Sequence, residues 1–506
     1  MTVPVLDSEF LRAAMPRAAD GSLSGFLAQL DRVSGCAHPV RLFGHIDHVD
    51  TATGEVRRVL DTADMPDGLL LVPCGNRRAS VCPSCSYLYA GDAWQIVHSG
   101  LTGGHDVPAT VAEHPGLFVT VTAPSFGPVH SRRANHGPAQ VCNRRQGRCP
   151  HGRARGCGFV HGEDDWRLGT PLCPDCHDDG ALIVWNRTSG RLWKRTVDAT
   201  YRRMATVTGM TERGLRRAVR ISYVKVGEAQ RRGAVHFHAL LRLDAGSDSD
   251  VWQAPPAWAT GDLLASCWRW AVTHTEEPCP DPHAYDLPSE ADALATLAAA
   301  GLLASADIPP PAPRPAPMRA ARWGEQHDVK KVLVDGGDLT PQAVGNYLAK
   351  YITKSVVDSG LLDRRIRDAD DLEARLPFLG EFHARLVHTA WRLGPHPEFQ
   401  DLRLRQWAHQ LGFNGHWLTK SRGYSTTFAA RRTARRTWRR THVNGEERPA
   451  LDAFGRPDDT DETVIIPTWR YHSSGYTNNG DRWLASMAAD QARSRREVTR
   501  DHRSAA

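Results

Sequence analysis

The stretch RISYVKVGEAQRRGAVHFHALLRLD, residues 220–244, restricts the fold more than any other. Two runs rich in β-branched and apolar residues flank RRG, and a three-residue loop with glycine in the last place is a common hairpin closure. Strands are expected over 219–230 and 233–244. With residues 231–233 as the loop, 230 pairs with 234, 229 with 235 and 228 with 236. Side chains two apart on a strand share a face. His236 and His238 therefore project together, Phe237 points the other way into a core, and Glu228 lies opposite His236 on the histidine face. Two imidazoles and a carboxylate form a three-ligand centre with open positions, suited to a catalytic divalent cation such as Mg²⁺, Mn²⁺ or another transition metal. Ordinary packing is the competing reading of a lone His-x-His; the matching glutamate favours the metal.

Nine of the eleven cysteines fall into a second pattern. Cys82 and Cys85 form CPSC, with Cys74 upstream. Cys173 and Cys176 form CPDC, with Cys149 and Cys157 upstream in RCPHGRARGC. A CxxC knuckle lets two thiolates reach one tetrahedral zinc from a tight turn. Two structural zinc sites are expected. The first takes Cys36, Cys74, Cys82 and Cys85, with His38 behind Cys36. The second takes Cys149, Cys157, Cys173 and Cys176, with His151, His161, His177 and Cys142 competing. Four thiolates leave no open position for chemistry. Buried or redox cysteines are the alternative.

The 506 residues allow two or three packed units, and 41% hydrophobic content supports a globular core. No run of eighteen or more apolar residues exists and the N-terminus has no signal pattern, so a cytoplasmic protein without a membrane partner is expected. The formal charge of +6 is modest, but RRTARRTWRR packs Arg431, Arg432, Arg435, Arg436, Arg439 and Arg440 around Trp438. That density suits phosphate binding; a solvated helix face is the plainer reading. The expected organisation is an N-terminal region, 1–115, with the first zinc module, and a central region, 116–360. The latter carries a strand at 116–124, a cysteine-rich insert at 140–180, a basic amphipathic helix from 191 and an exposed proline-rich linker at about 304–320. A basic helical DNA-binding region, 361–440, and a polar tail, 441–506, follow. No GxxxxGK[ST] phosphate loop is present, which argues against an ATPase of that kind.

LTPQAVGNYLAKYITKSVVDSG reads as a helix, capped by Thr340 with Pro341 in the first turn. At about 100° per residue, Tyr347, Lys350, Tyr351 and Lys354 share one accessible arc. Val344, Leu348, Ile352 and Val356 fill a neighbouring arc. A tyrosine hydroxyl with a pKa of about 10 is a poor nucleophile. A nearby cation and a metal-polarised electrophile change that, which suits opening a phosphodiester through a phosphotyrosine bond. The alternative is an amphipathic helix with snorkelling lysines.

HFH, 236–238, resembles the His-hydrophobe-His motif of HUH endonucleases. NYLAKYITK, 346–354, resembles the YxxxY motif of phage-type rolling-circle initiators, and FVTVTAPS, 118–125, resembles their first motif. CGNRRASVCPSC, YAGDAW, TAPSFGPVHSRR, GTPLCPDC and LTPQAVGNYLAKYITKS resemble the actinobacterial replication initiator family called RepSA. Its members occur on plasmids and on integrative and conjugative elements.

The resemblance implies an α+β fold: a HUH-type central antiparallel sheet with the hairpin in the middle, flanked by helices, with inserted zinc modules and a helical C-terminal region. It implies a metal-dependent enzyme that nicks origin DNA, double- and single-stranded, and becomes joined to the 5′-phosphate. His236, His238 and Glu228 would hold Mg²⁺ or Mn²⁺. Tyr351 is expected to attack first and Tyr347 second, with Lys350 and Lys354 steadying the phosphate. Host DNA polymerase would extend the released 3′-OH, and a recruited host helicase would unwind the duplex. The rivals are a HUH transposase or relaxase and a non-catalytic, zinc-stabilised DNA-binding regulator. A zinc hydrolase lacks a further motif to complete its centre.

Overall fold

The computed structural model describes residues 8–132, 140–247, 250–284, 318–332, 344–348, 361–362, 364–443, 446–447, 451–456 and 462–505. Along the chain run α1 (Ser8–Ala19), α2 (Leu23–Arg32), β1 (Val40–Asp50), β2 (Val56–Asp61), β3 (Leu70–Val72), α3 (Pro83–Thr102) and β4 (Gly116–Val121). There follow α4 (Asp179–Thr208), α5 (Glu212–Ala218), β5 (Val219–Ala229), β6 (Val235–Ala245), α6 (Gly261–His274), β7 (Glu277–Pro280), β8 (Met318–Ala321), β9 (His327–Val332) and β10 (Leu418–Lys420). Two short strands, β11 (His442–Val443) and β12 (Glu446–Glu447), precede β13 (Thr463–Ser474). Contacts divide the chain into two compact units, Met1–Ser99 with Thr426–Ala506, and Gly100–Ser425.

The unit Gly100–Ser425 is built on an antiparallel five-stranded sheet in the order β10-β5-β6-β4-β9, so the histidine strand β6 is the middle one. The hairpin has the register that its loop length requires: Ala229 faces Val235 and Glu228 faces His236. Gly233, at φ +79°, takes the left-handed conformation that closes the turn, and its N–H donates to Gln230 O at 2.9 Å. Phe237, Ala239, Leu241 and Leu243 alternate with the histidines and are buried with Trp193 of α4 and Trp268 of α6. α4 begins well before residue 191, because Asp178 caps it by accepting the N–H of Ala181 at 2.8 Å. The apolar run ALIVW, 181–185, thus belongs to this core helix, ten residues ahead of the expected helix start. It ends at Gly209, at φ +68°, whose N–H donates to Thr206 O. The proline-rich stretch is strand at its end, where β8 pairs with β7.

The linear division of the chain differs from the one its contacts draw. In residues 361–425 the helix Glu381–Leu393 buries Phe382, Leu386, Val387 and Ala390 in the core of the sheet unit. In the other unit β1 pairs along its whole length with β13, from Val40 opposite Ser474 to Asp50 opposite Thr463, and with β2 and β3 on its other edge. The helix Asn479–Ala505 adds Leu484 and Ala485 to a core of Phe26, Leu30, Val33 and Leu71. Arg17 Nε donates to Asp481 Oδ1 at 2.6 Å, tying the N- and C-terminal segments together. β13 was hard to place in the sequence because its residues are nearly all exposed on both faces. Among the described residues no helix is long and apolar enough to cross a membrane.

Candidate active site

One donor atom from each of Glu228, His236 and His238 lies within 4.8 Å of the others. His238 Nε2 is 3.4 Å from Glu228 Oε2. The Nδ1 atoms of both rings are engaged by β4 and the residue after it. Thr120 Oγ1 lies 3.0 Å from His238 Nδ1, and Thr122 Oγ1 lies 3.2 Å from His236 Nδ1. The reach is set by register, since Thr120 pairs with His238. These contacts fix both rings and leave each Nε2 for the centre. Burial, reinforced by His238 and Arg232, pushes His236 down to about 3. Its imidazole is neutral at physiological pH, the form that ligates a cation. The donor set of two imidazoles and a carboxylate fits a divalent cation with positions left over.

Beside this centre, residues 344–348 are helical. Val344 and Leu348 are buried while Tyr347 is 39% exposed, as the arcs of an amphipathic helix demand. The Tyr347 ring stands edge-on to His238, with centroids 5.2 Å apart, and edge-on to Phe118 at 5.7 Å. Tyr351, Lys350, Lys354, Thr340 and Pro341 lie outside the described residues.

Four supporting residues escape the sequence reading. FVTVTAPS carries Thr120 and Thr122 as part of a motif, without matching either to a particular histidine. Asn186, fully buried in α4, donates from Nδ2 to Gly233 O and Leu411 O, both at 2.9 Å, and its Oδ1 accepts the N–H of Val235 at 2.9 Å. A lone amide after ALIVW was the available signal. Arg232 donates to Pro124 O at 2.9 Å and to Ala123 O at 3.0 Å, joining the hairpin turn to the segment after β4.

Nine of the eleven cysteines form three groups. Cys36, Cys74, Cys82 and Cys85 converge, with donor atoms within 4.8 Å of one another. Backbone N–H groups donate to their sulfurs, Ala37 to Cys82 and Cys74 to Cys36, each at 3.3 Å. The expected set of Cys149, Cys157, Cys173 and Cys176 is not brought together; His151 joins Cys149, Cys173 and Cys176 in place of Cys157. Cys157 exchanges two backbone hydrogen bonds with Asn143, which carries it to Cys142. The tight turn after Cys149, closed by Gly152 N–H on Cys149 O at 2.9 Å, brings His151 round instead. Cys142 and Cys157 sit with His130 and His161. His177, another competitor, lies with Nδ1 2.6 Å from Asp179 Oδ1.

The arginine run forms the helix Phe428–Thr441. Its members do not share one role. Arg431 and Arg435, one turn apart, meet Asp92 of α3; Arg435 Nη2 donates to Asp92 Oδ2 at 2.8 Å. Arg432, Arg436 and Trp438 are exposed. The side chains of Arg439 and Arg440 lie outside the described ones.

Fold and site together define a mixed helix and antiparallel-sheet protein, with a candidate cation centre on its middle strand and a tyrosine beside it. The model of the RepSA family, described as "Replication initiator protein, pSAM2", matches residues 22–291 and 286–490. A replication initiator protein of Streptomyces ambofaciens is 38% identical over 477 residues, which cover 94% of this chain and 91% of the relative. The chain belongs to the RepSA family of replication initiator proteins. No solved structure matches it.

Proposed function

We propose that this replication initiator is a HUH-type endonuclease that nicks one strand of its origin DNA through a 5′-phosphotyrosine intermediate. The observation that carries the reading is the convergence of Glu228, His236 and His238 next to the Tyr347 ring. Those three residues would hold Mg²⁺ or Mn²⁺. When bound, the cation supplies charge withdrawal from a non-bridging phosphate oxygen. Thr120 and Thr122 keep the two imidazoles oriented. A tyrosine Oη attacks the phosphorus and loses its proton; the bond to O3′ breaks and O3′ leaves as the hydroxyl. The 5′-phosphate stays on the tyrosine, so the energy of the phosphodiester is conserved for rejoining. The ring contact between Tyr347 and His238 supports Tyr347 in one transfer, and Tyr351, four residues on, serves the other. Lys350 and Lys354 steady the phosphate. Exposed Arg432 and Arg436 suit sequence-independent contacts to duplex phosphates. The product 3′-OH is a primer for host polymerase, with unwinding left to a host helicase, as in rolling-circle replication of a plasmid or integrative element. The cysteine groups suit structural Zn²⁺.

The test incubates purified protein and Mn²⁺ with supercoiled plasmid carrying the element's own origin. A metal-dependent nick with protein on the 5′ end is expected. It should disappear in the Tyr347→Phe, Tyr351→Phe double variant. Tight origin binding with no adduct, in Mg²⁺ or Mn²⁺, would instead identify a zinc-stabilised regulator.

A further inference from the structure

One metal is the expectation for the cysteine-rich insert, yet its donors divide into two groups. His130, Cys142, Cys157 and His161 place one donor atom each within 4.8 Å of one another. His161 Nε2 lies 3.1 Å from His130 Nδ1 and 3.4 Å from Cys157 Sγ. Ser131 N–H donates to Cys142 Sγ at 3.2 Å, the contact a thiolate favours. Cys142 is fully buried, His161 is 1% exposed and Cys157 is 7% exposed.

The far side of His161 is equally specific. Its Nδ1 lies 2.7 Å from Asp165 Oδ2. That carboxylate is itself held by Arg167, through Nη2 at 2.8 Å and through Nε and the backbone N–H, both at 3.0 Å. A carboxylate on Nδ1 places the ring proton there and leaves Nε2 as a bare lone pair. That lone pair faces a second imidazole nitrogen and a sulfur. Hydrogen bonding alone satisfies such a cluster poorly, whereas one cation satisfies all four donors. A carboxylate-backed histidine is the usual support for a zinc ligand. Two sulfurs and two nitrogens, three of the four ligands buried and His130 half-buried, select Zn²⁺ over hard cations.

The loop that carries these ligands rests on the candidate active-site hairpin. His130 N–H donates to Thr170 O, and Gly169 N–H to His130 O, both at 2.8 Å. Gly169, at φ +88°, lies so close to the hairpin turn that a Cβ there would come within 2.5 Å of Arg231 C. Arg231 Nη1 donates to Glu163 O at 2.8 Å. Arg231 is three residues from Glu228 along the hairpin.

We propose that His130, Cys142, Cys157 and His161 bind a Zn²⁺ ion separate from those of the other cysteine groups, and that this ion braces the turn of the Glu228–His236 hairpin. The test measures zinc per chain by mass spectrometry on the reduced, full-length protein. His161→Ala should lose one equivalent relative to the parent, and Cys36→Ser should serve as a control in the other unit. Asp165→Asn should keep the full count but release one equivalent to a chelator roughly 10–100-fold more readily. It also covers the case in which His161→Ala does not fold. Trypsin reads the brace: cleavage after Arg231 and Arg232 should accelerate in His161→Ala and, at limiting zinc, in Asp165→Asn, but not in Cys36→Ser. An unchanged zinc content in His161→Ala, or unchanged chelator release in Asp165→Asn, would overturn the site. Equal cleavage rates in all variants would overturn the brace. None of these readouts depends on nicking, so they stand apart from the proposed endonuclease activity.

Discussion

On one face of β6, Phe237, Ala239, Leu241 and Leu243 are almost completely buried among Trp193, Trp268 and Trp323. On the other, His236 and His238 meet Thr120, Thr122 and Glu228. Residues one position apart therefore serve different ends. The apolar face anchors the strand by burial and close packing. The polar face uses that rigidity to hold donors at fixed positions. The lesson is that position in the pleat, more than sequence neighbourhood, decides what a substitution here should affect. One residue crosses the pattern. Lys225 projects to the apolar face, opposite Ala239, with Nζ 4.1 Å from the centre of the Phe237 ring and 5.2 Å from that of Trp193. Burial pulls its ammonium down to about 7.

The sharpest way to break this contrast is a pair of neighbouring substitutions. His238→Ala should reduce origin nicking by about 10³-fold or more, a loss of several kcal/mol of transition-state stabilisation, while its thermal midpoint stays close to the parent's. Phe237→Ala should cost about 3–5 kcal/mol of stability. Its folded fraction should nick at the parent's rate. If both variants lost activity and stability in parallel, the division of labour between the faces would be wrong.

A smaller effect isolates the support of the histidines. Thr120→Val keeps the shape of β4 but removes the hydroxyl beside His238 Nδ1. Binding of Mn²⁺, followed by calorimetry, should weaken by roughly 10–100-fold. Equal affinity in both proteins would mean that the hydroxyl does not orient the ring.

The last effect concerns Lys225, whose sign follows from proton counting. The unfolded chain keeps the lysine proton up to its ordinary value of about 10.4. The folded chain releases it at about 7. Between these values the unfolded state binds more protons, so stability rises with pH, with a slope of up to ~1.4 kcal/mol per pH unit. Below about 7 the full penalty of the buried charge remains. Lys225→Met should lack this slope and be the more stable protein at neutral pH. Denaturant midpoints from pH 6 to 10 would show it. Parallel curves for parent and variant would show that Lys225 is not desolvated in solution.

Sequence alone determined what short-range geometry controls. A loop of known length and a side-chain period of two set the register that puts Glu228 opposite His236. The two-residue spacing of each CxxC knuckle kept Cys82 with Cys85 and Cys173 with Cys176. Tertiary structure decided everything that depends on contacts between distant segments. It matched Thr120 to His238, exchanged Cys157 for His151, turned Arg431 and Arg435 toward Asp92, and paired β13 with β1. The physical reason is that covalent geometry restricts neighbours directly. Partners hundreds of residues apart are chosen instead by the packing of the whole chain, where many alternative pairings have equally suitable residue types.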